Sequence, residues 1–84
     1  MDVNKILSEV NQIFKKIFEN DSIVINMETT ANDVAEWDSL NHTVMISEIE
    51  KHFNTRFKFK EVIAFKNVGD MVNTLKIKLA EQGM

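Results

Sequence analysis

The sequence changes character at Trp37-Asp38-Ser39-Leu40, where an acidic, helix-poor stretch gives way to a strongly amphipathic segment. Asp38 is a residue type that caps helices, which places Ser39 in the first turn with its hydroxyl outward. Free backbone N–H groups and the positive end of the helix dipole favour a phosphate attached at such a position. A serine there can therefore be covalently loaded. The tripeptide Asp-Ser-Leu is weak evidence by itself, so its surroundings decide its meaning.

Apolar residues at helical spacing predict one helix before this stretch and one that begins in it. The first helix covers residues 2–19, and its apolar stripe is Val3, Ile6, Leu7, Val10, Ile13, Phe14, Ile17 and Phe18. The second runs from Asp38 to about Phe53, and its predicted inner stripe is Leu40, Val44, Met45, Ile49 and Phe53. Asn54 suits the left-handed residue that ends a helix. Trp37 and His42 occupy the positions of a hydrophobic staple, so their rings are expected to pack.

The remainder of the chain predicts a long first loop and two further helices. Residues 20–37 have no steady period, and residues 56–60 alternate like a strand that would have no partner, so we reject a strand there. A short helix is expected around Lys60–Phe65. The last helix opens at Asn67 with Asp70 in the manner of a capping box, and Gly83 ends it. Its core stripe is Val68, Met71, Val72, Leu75 and Leu79. The predicted fold class is all-α: a four-helix bundle of three longer helices and one short one.

Composition narrows the function classes. Eighty-four residues, 44% of them hydrophobic, suit one domain over residues 1–84. The absence of cysteine excludes disulfides, thiolate metal sites and thiol nucleophiles. The first residues lack the features of a signal peptide and no apolar run is long enough to span a membrane, so we expect a cytoplasmic monomer without membrane insertion. The net charge of −3 argues against a nucleic-acid partner.

Charge is unevenly distributed along the chain. Residues 1–50 carry a net −7 and residues 51–84 a net +4. Six acids and no base lie between Glu19 and Asp38, which is either a solvated loop or a guide for a basic partner.

Two enzymatic or metal interpretations of the second helix are weak. Ser39, His42 and Asp38 could form a nucleophile–base arrangement, but a hydrolase also needs oxyanion donors and a pocket that excludes water. A small helical bundle scarcely provides these. The pairs Asp38/His42 and Glu48/His52 supply too few ligands for a tight metal site. We therefore expect neither a catalytic residue nor a metal site.

The order of these features resembles the acyl carrier protein family over nearly the whole chain. The resemblance rests on three segments: Asp33-Val34 followed by Trp37-Asp38-Ser39-Leu40, Ile49-Glu50 followed by Phe53, and Asn67-Val68-Gly69-Asp70-Met71-Val72. It implies that Ser39 carries a covalent 4′-phosphopantetheine arm, which a phosphopantetheinyl transferase installs from coenzyme A. The thiol of the arm would hold acyl groups as thioesters. The expected further partners are an acyl-loading ligase or synthase and acyltransferase enzymes of a fatty-acid or lipid pathway.

The expected partner surface surrounds Ser39, and Leu40 matches an apolar contact used by partner enzymes of the family. This surface consists of Asp38, Leu40, Asn41, His42, Val44, Ser47, Glu48 and Lys51. It is less acidic than in the better-known fatty-acid carriers, and the link before the third helix is basic, which favours a specialised pathway. We also predict a core gap that shelters part of an acyl chain, bordered by Met45, Ile49, Val62, Ile63 and Phe65.

Two alternatives stay open from the sequence. One is a peptidyl or aminoacyl carrier, for example of D-alanine, because the same arm carries all of these groups. The other is a helical interaction module without an arm, in which Asp-Ser-Leu only caps a helix.

Overall fold

Four helices make up the secondary structure of the computed structural model, which describes residues 2–35 and 37–82. Their bounds are α1 Val3–Ile17, α2 Ser39–Phe53, α3 Phe59–Ala64 and α4 Val68–Gln82. No strand occurs in these two ranges. The all-α prediction with three longer helices and one short helix is confirmed. The expected helix end at Gly83 lies outside the described residues.

The core lies where α1 packs against both α2 and α4. Its fully buried side chains come from all three longer helices and are Ile6, Val10, Phe14, Met45, Ile49, Val68, Met71, Val72 and Leu75. Burial of an aliphatic or aromatic side chain of this size contributes roughly 1.5–3 kcal/mol each, so these stripes are the main source of stability.

One part of the predicted core is wrong. Leu40 and Val44 were assigned to the inner stripe of α2, but 73% and 42% of their surfaces are exposed. Ile46 is buried instead, beside Met45 and Ile49. The buried residues of α2 thus begin at Met45, and the exposed Leu40 and Val44 precede them.

Loop 18–38 is held against the bundle by polar contacts. The Asn11 side chain in α1 accepts a hydrogen bond from Ile25 N at 2.7 Å and donates one to the Ile23 carbonyl at 3.3 Å. At the start of α4, Gly69 N donates to the Met27 carbonyl at 2.8 Å. A Cβ atom at Gly69 would lie 2.7 Å from that carbonyl oxygen, so the close approach requires glycine.

The predicted caps of the last helix are half correct. The Asn67 side chain accepts a hydrogen bond from Asp70 N at 2.8 Å, as an N-cap does. The Asp70 carboxylate, however, accepts from Lys66 N at 2.9 Å, one residue before the cap, so the pair departs from a strict capping box.

The short helix α3 begins one residue earlier than predicted and is tied to α4 through Glu61. The Glu61 carboxylate accepts hydrogen bonds from Lys58 N at 2.7 Å and from Lys78 Nζ at 2.9 Å. These two contacts hold the pKa of Glu61 below its usual value. None of the helices, over the ranges described, combines the length and apolar character needed to cross a membrane.

Candidate functional site

Ser39 is the first residue of α2 and its side chain is exposed. Asp38 caps the helix as predicted: its Oδ1 accepts a hydrogen bond from Asn41 N at 2.8 Å, and its backbone carbonyl accepts from His42 N at 2.8 Å. At the other end Asn54 adopts the predicted left-handed conformation with φ 52°. The local sequence therefore places a serine hydroxyl in solvent at the positive end of the helix dipole.

Trp37 and His42 form the predicted staple, with a hydrogen bond that the sequence did not predict. Trp37 Nε1–H donates to His42 Nδ1 at 2.9 Å, and the two rings are inclined by 17° with centroids 5.8 Å apart. The rings therefore meet edge to edge in nearly one plane. Trp37 also packs against Phe14 of α1, edge to face, at 5.2 Å. This chain of contacts anchors the residue just before Asp38 to the core.

The Trp37 hydrogen bond limits what His42 can do chemically. Because Nδ1 accepts a hydrogen, the hydrogen of the neutral imidazole is assigned to Nε2. Neither nitrogen then has a free lone pair with which to take a proton from Ser39. The arrangement does not suit a nucleophile–base pair, in line with the weak hydrolase interpretation of the sequence.

An open groove of about 570 Å³ borders Ser39. Its lining residues come from the first loop, the start of α2 and the α3 region, and they are Ala31, Trp37, Asp38, Ser39, His42, Val62, Ile63, Phe65 and Lys66. Most of these side chains are apolar. Sequence reasoning missed Ala31 of the first loop and Lys66 after α3, because no local spacing relates either residue to Ser39.

The five residues of the predicted core gap fall into two groups. Val62, Ile63 and Phe65 line the outer groove, whereas Met45 and Ile49 are fully buried and do not line it. Since a fully buried side chain can still border an internal gap, shelter of an acyl chain between these two groups stays a prediction.

The predicted partner surface divides into an exposed part and an internally paired part. Leu40, Val44 and Ser47 are exposed, and Asn41 is half-buried. Glu48 lies 3.9 Å from both Lys16 of α1 and Lys51, so its charge is balanced within the protein.

The metal interpretation would require His52 and Glu48 to point to a common site, but His52 pairs with a different residue. Its Nε2 lies 2.7 Å from Glu9 Oε1 of α1. The two halves of that candidate metal pair therefore have separate partners, and each links α2 to α1.

Comparison with known structures identifies relatives. The holo acyl carrier protein of Geobacter metallireducens, known from its solution structure, matches with a TM-score of 0.85 and 41% identity over 90% of this chain and 87% of that one. A protein of Mycobacterium tuberculosis described as an acyl carrier protein matches with a TM-score of 0.77 over 86% of this chain and 96% of that one. At 24% identity that second match shows the fold alone. No family model matches the sequence, and no curated protein is significantly similar to it.

Proposed function

Since this chain belongs to the acyl carrier protein family, we propose that it carries acyl groups as thioesters on a 4′-phosphopantetheine arm attached to Ser39 Oγ. Proteins of this family are carriers and not enzymes. The arm would come from coenzyme A through a phosphopantetheinyl transferase. An acyl-loading ligase or synthase and acyltransferases would then deliver and remove the cargo.

The exposed position of Ser39 at the start of α2 is the observation that carries this proposal. A transferase can reach the hydroxyl without unfolding the helix, and the helix dipole stabilises an attached phosphodiester by about 0.3–1 kcal/mol at an exposed site. Asp38 is the acidic residue that directly precedes Ser39 in sequence. Its carboxylate accepts a hydrogen bond from Asn41 N, so its role in the folded chain is to cap the helix.

The residues around Ser39 fit such a group. When attached, the arm supplies the thiol that forms the thioester, and the chain has no cysteine that would compete for it. The groove beside Ser39 offers apolar contacts from Val62, Ile63 and Phe65. His42 also lines the groove, and its Nε2 carries the hydrogen of the neutral ring because Nδ1 accepts from Trp37.

Partner enzymes would approach the surface predicted from the sequence. Leu40 and Val44 are one helical turn apart and exposed, so they form an apolar contact beside Ser39. Asn41, Ser47 and the paired Glu48 and Lys51 add little net charge to it. Such a surface suits partners that recognise shape and apolar area more than an acidic helix, which supports a specialised pathway.

A mass measurement tests the proposal. The protein is incubated with coenzyme A and a broad-specificity phosphopantetheinyl transferase and then weighed intact. We expect a gain of one phosphopantetheinyl group, which Ser39→Ala abolishes. Ser8→Ala is the matched control, because Ser8 is an exposed serine of α1 and does not belong to the predicted partner surface. If several transferases add no mass, or if Ser39→Ala still gains it, the proposal is refuted and a helical module without an arm is favoured.

The cargo follows from a second measurement. The acyl group on holo-protein purified from its native cells is identified by mass spectrometry after thioester cleavage. A fatty acyl or hydroxyacyl group identifies a lipid-type pathway, whereas an amino acid identifies an aminoacyl carrier.

A further inference from the structure

An apolar pair projects into solvent from the short helix α3. Phe59 and Ile63 have 73% and 67% of their surfaces exposed. Being four residues apart, they lie on one face of the helix. Ile63 also lines the groove beside Ser39. The exposed apolar face of α3 is therefore continuous with the site at which the arm would be attached.

Three lysines lie close to this pair in sequence or line the same groove. Lys58 and Lys60 flank Phe59 in sequence, and Lys66 lines the Ser39 groove. All three side chains are exposed. Over residues 2–35 and 37–82, none of them lies within ion-pairing distance of a carboxylate.

The neighbouring acids are engaged in hydrogen bonds with the backbone, and Glu61 also interacts with the charge of Lys58. Glu50, Glu61 and Asp70 each accept a hydrogen bond from a backbone N–H in the segment between α2 and α4. Glu61 also pairs with Lys78 of α4 at 2.9 Å. Lys60 and Lys66 form no ion pair among the described residues, so their charges can act on a partner that approaches from solvent.

We infer that this surface, the α3 face (Lys58, Phe59, Lys60, Ile63 and Lys66), docks the enzyme that acylates the arm, and that this enzyme presents an apolar patch ringed by Asp and Glu. The inference rests on the proposed function and adds the chemistry of the partner. Opposite charges around an apolar contact speed encounter and set orientation. A protein partner is favoured over an anionic lipid surface because the α3 face adjoins Ser39, and an enzyme that receives the arm has to cover it.

The test uses the holo-protein and the enzyme that acylates it, purified from native cells by following thioester formation. The charge variant is Lys60→Glu with Lys66→Glu. Its control, Lys5→Glu with Lys76→Glu, makes the same charge change at exposed positions on α1 and α4. We expect the charge variant to lower kcat/KM for acylation by about tenfold at low ionic strength, less as salt is added, and the control to leave it unchanged. Phe59→Ser should lower kcat/KM with little dependence on salt.

Two results would overturn the inference. If the charge variant and Phe59→Ser are acylated like the control, the inference is wrong. A second result that contradicts the inference combines two measurements. Acylation is the same in all variants, and the wild type floats with vesicles of phosphatidylglycerol and phosphatidylcholine whereas the charge variant does not. The α3 face would then bind lipid. Failure of the proposed function is seen separately, since intact mass shows beforehand whether Ser39 carries the arm. Circular dichroism checks that every variant is folded.

Discussion

Replacing His42 by phenylalanine tests how the start of α2 is held. The substitution keeps an aromatic ring at the staple position but removes the acceptor Nδ1, which lies 2.9 Å from Trp37 Nε1. Only 7% of the Trp37 surface is exposed. Its indole N–H would therefore be left in a mostly buried place without its partner.

The expected cost follows from that unpaired donor. A buried donor without an acceptor costs about 1–3 kcal/mol, and partial access of water at the protein surface places this case near the lower end. We expect His42→Phe to lower the free energy of unfolding by about 1–2 kcal/mol. For a domain of this size each kcal/mol lowers Tm by about 4–8 °C. The loss is a large share of the few kcal/mol that stabilise a small domain.

A double-mutant cycle isolates the hydrogen bond. Unfolding in urea is followed by circular dichroism for the wild type, His42→Phe, Trp37→Phe and the double variant. Trp37→Phe removes the donor, so His42→Phe should cost about 1 kcal/mol less in that background. Equal costs of His42→Phe in both backgrounds would refute the reasoning, because the effect would then be one of ring packing alone.

Three other predictions concern local contacts, and urea unfolding checks each. Gly69→Ala should destabilise the protein by about 1–3 kcal/mol, although alanine favours helices, because the new Cβ would lie 2.7 Å from a loop carbonyl oxygen. The Lys58 N–H and the Lys78 ammonium lower the pKa of Glu61 below its ordinary value of 4.5. The contribution of Glu61 to stability is therefore complete above pH 4.5 and is lost as the pH falls through the lowered pKa. Glu61→Gln should make the stability of the protein less dependent on pH in this range. Asp38→Ala should cost about 1 kcal/mol and Asp38→Asn a few tenths, since asparagine keeps the cap.

Controls distinguish these causes from general effects of substitution. Asn73→Ala, at an exposed position in the same helix as Gly69, should stabilise slightly through helix propensity. A stabilised Gly69→Ala would contradict the close approach to the loop. If the stability of Glu61→Gln depends on acid pH as the wild type does, other carboxylates determine that dependence. If Asp38→Asn and Asp38→Ala lose equal free energy of unfolding, the charge of Asp38 matters and its cap does not.

Much of the site was predictable because it depends on neighbours within a turn or two of helix. The Asp38 cap, the exposed Ser39 in the first turn, the left-handed Asn54 and the contact of Trp37 with His42 all follow from residue types at fixed spacing. The chemical role of Ser39 remains a proposal, since position alone does not attach an arm. Where periodicity was misleading, as for Leu40 and Val44, apolar spacing described a stripe without saying how much of it a neighbouring helix covers.

The sequence by itself determined four helices, their approximate ends and a serine at a helix start, because periodicity and capping act over a few residues. Tertiary structure alone decided which side chains meet across helices. It brought Lys66 to the groove that borders Ser39, paired His52 with Glu9 rather than Glu48, and left Phe59 and Ile63 exposed. These contacts depend on the crossing and rotation of whole helices, which no local spacing in the chain encodes.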